Sequence, residues 1–215
     1  MIDPNDFVIT RKRKKYKFAK FSNSPLCFEF DDWNKQVTDV IELGAGTGLF
    51  SVELAQRHPD KQFVAVDVKA DRLQKGAYEA AARKLTNIRF LRARADQIDE
   101  CFKEKSVETI WLTFADPFPK SRSSGRRMTH PNFLKKYQQL LHPKGSFIVK
   151  QDSLDFFNWS LERLVQEKWH IIELTFDLHE SDYSNDYKIM TTYELRWSGE
   201  GKSTKLVRAT HEQSD

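Results

Sequence analysis

No apolar run in this chain approaches the about 20 residues that a membrane-spanning helix needs, which argues against a membrane-embedded protein. The first residues, MIDPNDFVIT, lack the basic start, apolar stretch and small-residue cleavage site of a secretory leader, so the cytoplasm is the expected compartment. Cysteine is scarce. Cys27 and Cys101 stand far apart with no CxxC spacing and no obvious histidine partners; they read as buried thiols, and no metal site is expected. Repeats and low-complexity segments are absent as well. What remains is one packed domain with short extensions, for which 215 residues with a 39% hydrophobic fraction suffice.

The formal charge of +4 is modest, and its distribution says more than its size. Residues 11–20, RKRKKYKFAK, hold seven Lys or Arg, and a second cluster follows at Lys120, Arg122, Arg126, Arg127, Lys135 and Lys136. Two separated basic clusters suit a polyanionic partner, because Lys and Arg neutralise phosphates and release condensed counterions. A solvated surface or tail is the plain alternative for the first cluster.

The chain divides at residue 38. Residues 1–37 are basic, aromatic and irregular and read as an arm laid against the domain; residues 38–198 form the domain, and 199–215 a C-terminal tail. Within the domain, strand-like runs alternate with helical stretches: DVIEL then LFSVELAQRH, FVAVD then DRLQKGAYEAAARKL, IRFLRA then DQIDECF, VETIWLTFA then PNFLKKYQQLL, SFIVK then SLDFFNWSLERLVQE. Five such βα units predict an α/β fold, a mainly parallel sheet with helices on both faces. After them WHIIELTFDL and IMTTYELRW, joined by the polar HESDYSND, predict an antiparallel hairpin at one edge. This layout resembles the Rossmann-like methyltransferase domain. In such open sheets ligands sit outside the carboxyl ends of the strands, so those ends are where chemistry is sought.

The first strand runs into Gly44-Ala45-Gly46-Thr47-Gly48, where glycines permit a tight turn and close approach of a ligand to the backbone. The spacing is GxGxG, whereas the dinucleotide fingerprint is GxGxxG with a helix amino terminus facing a pyrophosphate. S-adenosylmethionine, the cofactor the resemblance implies, has no phosphate; it carries a cationic sulfonium and a zwitterionic amino-acid end. Glu42, just before the loop, suits its ammonium. Asp67 ends the second strand, 19 residues beyond Gly48, where a carboxylate can accept from ribose hydroxyls, a device NAD enzymes share. Asp96 follows the third strand, placed either for the adenine edge or as a helix N-cap.

The fourth strand ends in Thr113-Phe114-Ala115-Asp116-Pro117-Phe118-Pro119-Lys120, with Ser121 to Arg127 after it. Two prolines flanking an aromatic hold the chain extended and fix where Asp116 and Lys120 point. This run resembles the D-P-W-P-K-x-R-H-x-K-R-R signature of bacterial tRNA (guanine-N7-)-methyltransferases, and the resemblance extends over roughly Thr38 to Trp197. It implies cofactor contacts at Glu42, Asp67, Asp96 and Asp116, beside the Gly44, Gly46 and Gly48 loop. It implies substrate contacts at Lys120, Asp152 and the Thr191-Thr192-Tyr193-Glu194 segment. Phe118 stands where the family has Trp, Ser123 where it has His, Gly125 where it has a basic residue, and Thr192 where it has an acid.

The implied reaction is methyl transfer to guanine N7 of tRNA. That nitrogen holds a free lone pair at neutral pH, so alignment rather than a base carries catalysis. Asp116 is the candidate catalytic residue, accepting from guanine N1–H and the exocyclic amine. Lys120, Arg122, Arg126 and Arg127 are candidates for phosphates, and Phe118 or Tyr193 for stacking on an extruded base, although Tyr193 also reads as ordinary packing. Another RNA substrate, a catalytically silent RNA-binding homologue, and an NAD(P)-dependent oxidoreductase are the competing readings, the last disfavoured by GxGxG.

Overall fold

A computed structural model describes residues 1–6, 12–197 and 201–211. Arg11 of the basic arm therefore lies outside the described residues. The elements in chain order are α1 (Lys12–Ser22), β1 (Cys27–Glu29), β2 (Val40–Leu43), α2 (Leu49–Arg57), β3 (Phe63–Asp67), α3 (Ala70–Ala82), β4 (Ile88–Arg92), α4 (Ile98–Cys101), β5 (Val107–Thr113), α5 (Pro131–Leu140), β6 (Leu141–Gln151), α6 (Leu154–Gln166), β7 (His170–Thr175), α7 (Glu194–Trp197) and β8 (Lys205–Thr210). No helix among the described residues is long and apolar enough to cross a membrane.

The strands form one sheet in the order β1-β4-β3-β2-β5-β6-β8-β7. Neighbours from β1 to β6 are parallel, and β8 runs antiparallel between β6 and β7. Apart from Glu42 and Asp67, strands β2 and β3 are apolar on both faces, as a parallel sheet covered by helices requires: Ile41, Leu43, Val64, Ala65 and Val66 are all buried. Chain order reverses at β2, which is flanked by β3 on one side and β5 on the other. The loops leaving β2 and β5 are thereby neighbours at the carboxyl end of the sheet.

The five βα units form as the periodicity predicts, but both ends of the chain depart from expectation. The arm is not irregular: α1 lies against α3 with Ala19 and Phe21 buried, and β1 extends the sheet beside β4. Trp33 then enters the core, its indole N–H donating to the Cys101 carbonyl at 2.6 Å. Cys101 is buried and Cys27 half-buried, and burial pushes both thiols up to about 12.

At the other end the antiparallel edge pair is present, but its second strand is not IMTTYELRW. That segment is a turn leading into α7, because Thr191-x-x-Glu194 forms a reciprocal cap. The Thr191 N–H donates to Glu194 Oε2 at 2.8 Å, and the Glu194 N–H donates to Thr191 Oγ1 at 3.1 Å. The strand is supplied by β8, in the stretch expected to be a tail, with Leu206, Val207 and Ala209 fully buried. The chain from 176 to 204 is then a long connection, a length that in compact domains usually carries function.

Candidate active site

Glu42 lies at the end of β2, 2% exposed. Ser51 Oγ of α2 donates to its Oε2 at 2.6 Å and Thr113 Oγ1 of β5 to its Oε1 at 2.7 Å. Burial pushes this carboxyl up to about 7 against the opposing pull of those two hydroxyls.

Gly44, Gly46 and Gly48 have φ of 67°, 57° and 69°, a left-handed run only glycine adopts without strain. Two of the three also need the missing side chain for space. A Cβ on Gly48 would stand 2.7 Å from the Phe90 ring, and one on Gly44 3.0 Å from Met128 Cε, whereas nothing lies within 4 Å of one on Gly46. The loop is tied to β3 by Asp67, whose Oδ2 accepts from Gly46 N at 2.8 Å and Oδ1 from Lys69 N at 2.8 Å. Burial nevertheless raises the Asp67 pKa. Each of its oxygens keeps a further lone pair for a hydroxyl. Asp96 does not cap its helical turn; its side chain is half exposed and held by Arg94 at 2.6 Å, and that guanidinium lowers its pKa.

The exit of β5 is strained. Phe114 and Phe118 have φ of 48° and 40°, unusual for aromatic residues and of the kind that clusters at functional sites. Between them Asp116 is exposed and makes no hydrogen bond or ion pair among the described residues. The side chains of Lys120 and Arg122 are exposed likewise, with no such partner among the described residues. Arg126 and Arg127 differ from them. Arg126 lies over the Phe118 ring at 4.4 Å. Arg127 donates to the carbonyls of Pro117 and Phe118 and rests on Trp159 at 4.6 Å, so it braces the loop from inside.

Asp152 and the Thr191 to Glu194 turn meet Phe114 around a cavity of about 110 Å³ that also touches His179 and Thr204. Tyr193 Oη donates to Asp152 Oδ2 at 3.1 Å, and its ring lies 5.0 Å from that of Phe114. Thr192 and Thr47 share a hydroxyl hydrogen bond of 3.0 Å, joining this turn to the glycine loop. Glu194 is buried, paired with Lys150 at 2.8 Å and His179 at 3.1 Å, and it accepts from Thr204 at 3.1 Å.

Several contributors escape a reading of the sequence. Ser51 and Thr113 become visible only when their elements converge on Glu42. Gly76 of α3 is required because a Cβ there would stand 2.3 Å from the Thr47 carbonyl. A helical glycine is the one signal that pointed to it. Lys150, His179 and Thr204 gave none.

Comparison with known proteins defines the class first. Residues 36–207 match the family described as "Putative methyltransferase". The fold is that of the 16S rRNA methyltransferase KamB (TM-score 0.64, 18% identity, 83% of this chain and 90% of that one). It is also that of a precorrin-6y C5,15-methyltransferase from Geobacter metallireducens (TM-score 0.54, 13% identity, 98% of each chain). This is a methyltransferase.

Curated relatives narrow the class. A tRNA (guanine-N(7)-)-methyltransferase of Brevibacillus brevis is 32% identical over 90% of this chain and 92% of its own. That of Mycoplasmopsis agalactiae is 38% identical over 79% of this chain and 82% of its own. The chain belongs to the tRNA (guanine-N7-)-methyltransferase family.

Proposed function

We propose that this protein transfers a methyl group from S-adenosylmethionine to guanine N7 in tRNA, in the cytoplasm. The observation that carries the reading is the juxtaposition at the switch point. A left-handed glycine loop backed by Glu42 and Asp67 leaves β2, and beside it the exit of β5 carries the unpaired carboxylate of Asp116 between the strained Phe114 and Phe118.

The residues present suit the cofactor. Gly46 leaves open space where any side chain would stand, and the acids Glu42 and Asp67 favour a cationic ligand above them. Asp67 would hold the ribose, Asp96 the adenine edge, and the backbone of Gly44 to Gly48 the amino-acid end. S-adenosylmethionine, when bound, supplies an electrophilic methyl group on a cationic sulfur.

Asp116 acts on the acceptor. Guanine offers N1–H and an exocyclic amine side by side, which one carboxylate receives; adenine lacks that pair. Accepting both orients the base and favours the positive charge that its ring gains as N7 is alkylated. Asp152 and Tyr193 form the far wall, while Glu194 and Thr191 hold that wall in shape through their cap. Lys120, Arg122 and Arg126 face solvent beside the pocket and take phosphates, as does the basic arm. Arg127 serves the same surface indirectly by fixing the Pro117-Phe118 carbonyls.

Incubation with labelled S-adenosylmethionine and unmodified total tRNA, followed by nucleoside mass spectrometry, tests this. Label is expected in 7-methylguanosine; label elsewhere, or none, overturns the assignment.

A further inference from the structure

Lys150 is fully buried between two neighbouring strands, a costly place for an ammonium group. It sits at the carboxyl end of β6, beside Thr113 of β5 and Leu206 of β8. Its Nζ donates to the Ile189 carbonyl at 2.7 Å and pairs with Glu194 Oε2 at 2.8 Å, with the rings of Phe50 and Phe114 at 5.7 and 5.9 Å. Both polar contacts reach the long connection between β7 and β8, one on either side of Thr191 to Tyr193.

The turn so held touches both halves of the site. Thr192 meets Thr47 of the glycine loop, and Tyr193 meets Asp152 and Phe114 in the pocket. The main chain at Lys150 also meets the strained exit of β5, its carbonyl accepting from Phe114 N at 2.8 Å. A hydrophobic residue at 150 would pack in this core at less desolvation cost, so the cation has a task besides packing.

Resting on the methyl-transfer reading above, we infer that Lys150 is a positioning residue. Through Glu194 and the Ile189 carbonyl it docks the Thr191 to Tyr193 turn between the cofactor loop and the acceptor pocket. It sets the alignment of the two reactants without touching either. Loss of the pair leaves both binding surfaces in place and degrades their register, and misplacement on the scale of 1 Å is enough to cost about 10²-fold in rate.

The test uses the full chain carrying Lys150→Met together with Glu194→Gln, which removes both buried charges at once, beside Thr192→Val, which cuts the contact to Thr47. The double variant is expected to melt cooperatively. Amide exchange at residues 191–194 of the ligand-free protein should accelerate about tenfold while β2 to β5 keep their protection. The single-turnover rate at saturating tRNA and S-adenosylmethionine should fall about 10²-fold, a loss in rate rather than in affinity. Unchanged exchange at the turn overturns the inference, and so does an unchanged saturated rate, which would leave the pair a purely structural role. If the double variant does not fold, Thr192→Val decides: a lowered saturated rate with unaltered global exchange supports the inference, and an unaltered rate overturns it. Absence of methyl transfer by the parent protein counts against the proposed function; the exchange readout needs no substrate and judges the positioning role by itself.

Discussion

The two ends of the sheet treat charge differently. Around a cavity of about 250 Å³ near the amino ends of the strands, Asp186 pairs with Arg57 and His58, Glu108 with Lys61, and Glu173 with Arg208. At the carboxyl ends the side chains of Asp116, Lys120 and Arg122 are left without hydrogen-bond or ion-pair partners among the described residues, and two aromatic residues sit at positive φ. A cavity alone is thus a poor guide to function here, since the larger of the two is neutralised by its own walls. Unanswered charge of both signs, on a strained backbone, sets the carboxyl end apart and supports the proposed site there.

Substitutions should separate the ends accordingly. The largest effect is expected from Asp116→Ala: transfer falls by about 10²-fold or more, with the melting temperature unchanged and cofactor affinity less affected than by Glu42→Ala. Equal loss of cofactor binding in both, read by isothermal titration, would break the division of labour.

Next is Glu42→Gln. The folded-state pKa of about 7 lies above the ordinary 4.5, so the native protein holds a proton that the unfolded chain has lost. Stability therefore falls as pH rises from 4.5 to 7 and stays reduced above it. The variant should escape this penalty and gain up to about 3 kcal/mol relative to the parent above neutrality. No gain at pH 4, and the gain opening across that window in urea melts, is the expected pattern; a pH-independent difference would remove Glu42 as its source.

Arginines at the working end should differ from each other. Arg126→Ala should reduce the slope of log tRNA affinity against log salt by about 1. Arg127→Ala should instead loosen the Pro117-Phe118 loop, seen as faster proteolysis there. Identical salt slopes for parent and Arg126→Ala would take Arg126 out of the phosphate path. The smallest effect is expected at the other end, where Asp186→Asn should cost about 1 kcal/mol or less because its pairs are partly solvated, with methyl transfer unchanged. A loss of transfer there would blur the contrast between the two ends.

The proposed cofactor half of the candidate site was legible in the sequence because its constraints are local. Gly44, Gly46 and Gly48 answer to their own φ angles, and Glu42 and Asp67 to the strands they end. The substrate half was only partly so. The Asp116 to Lys120 run is contiguous and stood out, whereas the wall opposite is assembled from Asp152, just after β6, and the distant 176–204 connection. Thr191 to Tyr193 carries β-type residues, and only the cap to Glu194 turns it into a helix start. Strand β8 escaped notice because Lys205 and Arg208 interrupt its apolar pattern, their charges satisfied by partners distant in sequence. Strand β1, three residues long, offers too short a pattern to recognise.

The insertion of β8 between β6 and β7 also dictates an order of assembly. Among the described residues strand β7 pairs with no strand but β8, so on the ribosome it is made before the partner that will hold it. Until residue 210 has emerged, the connection that carries Thr191 to Glu194 has its second anchor still inside the exit tunnel. A nascent chain can thus complete its glycine loop early, and it acquires the opposite wall of its pocket only in the last stage of translation of this domain.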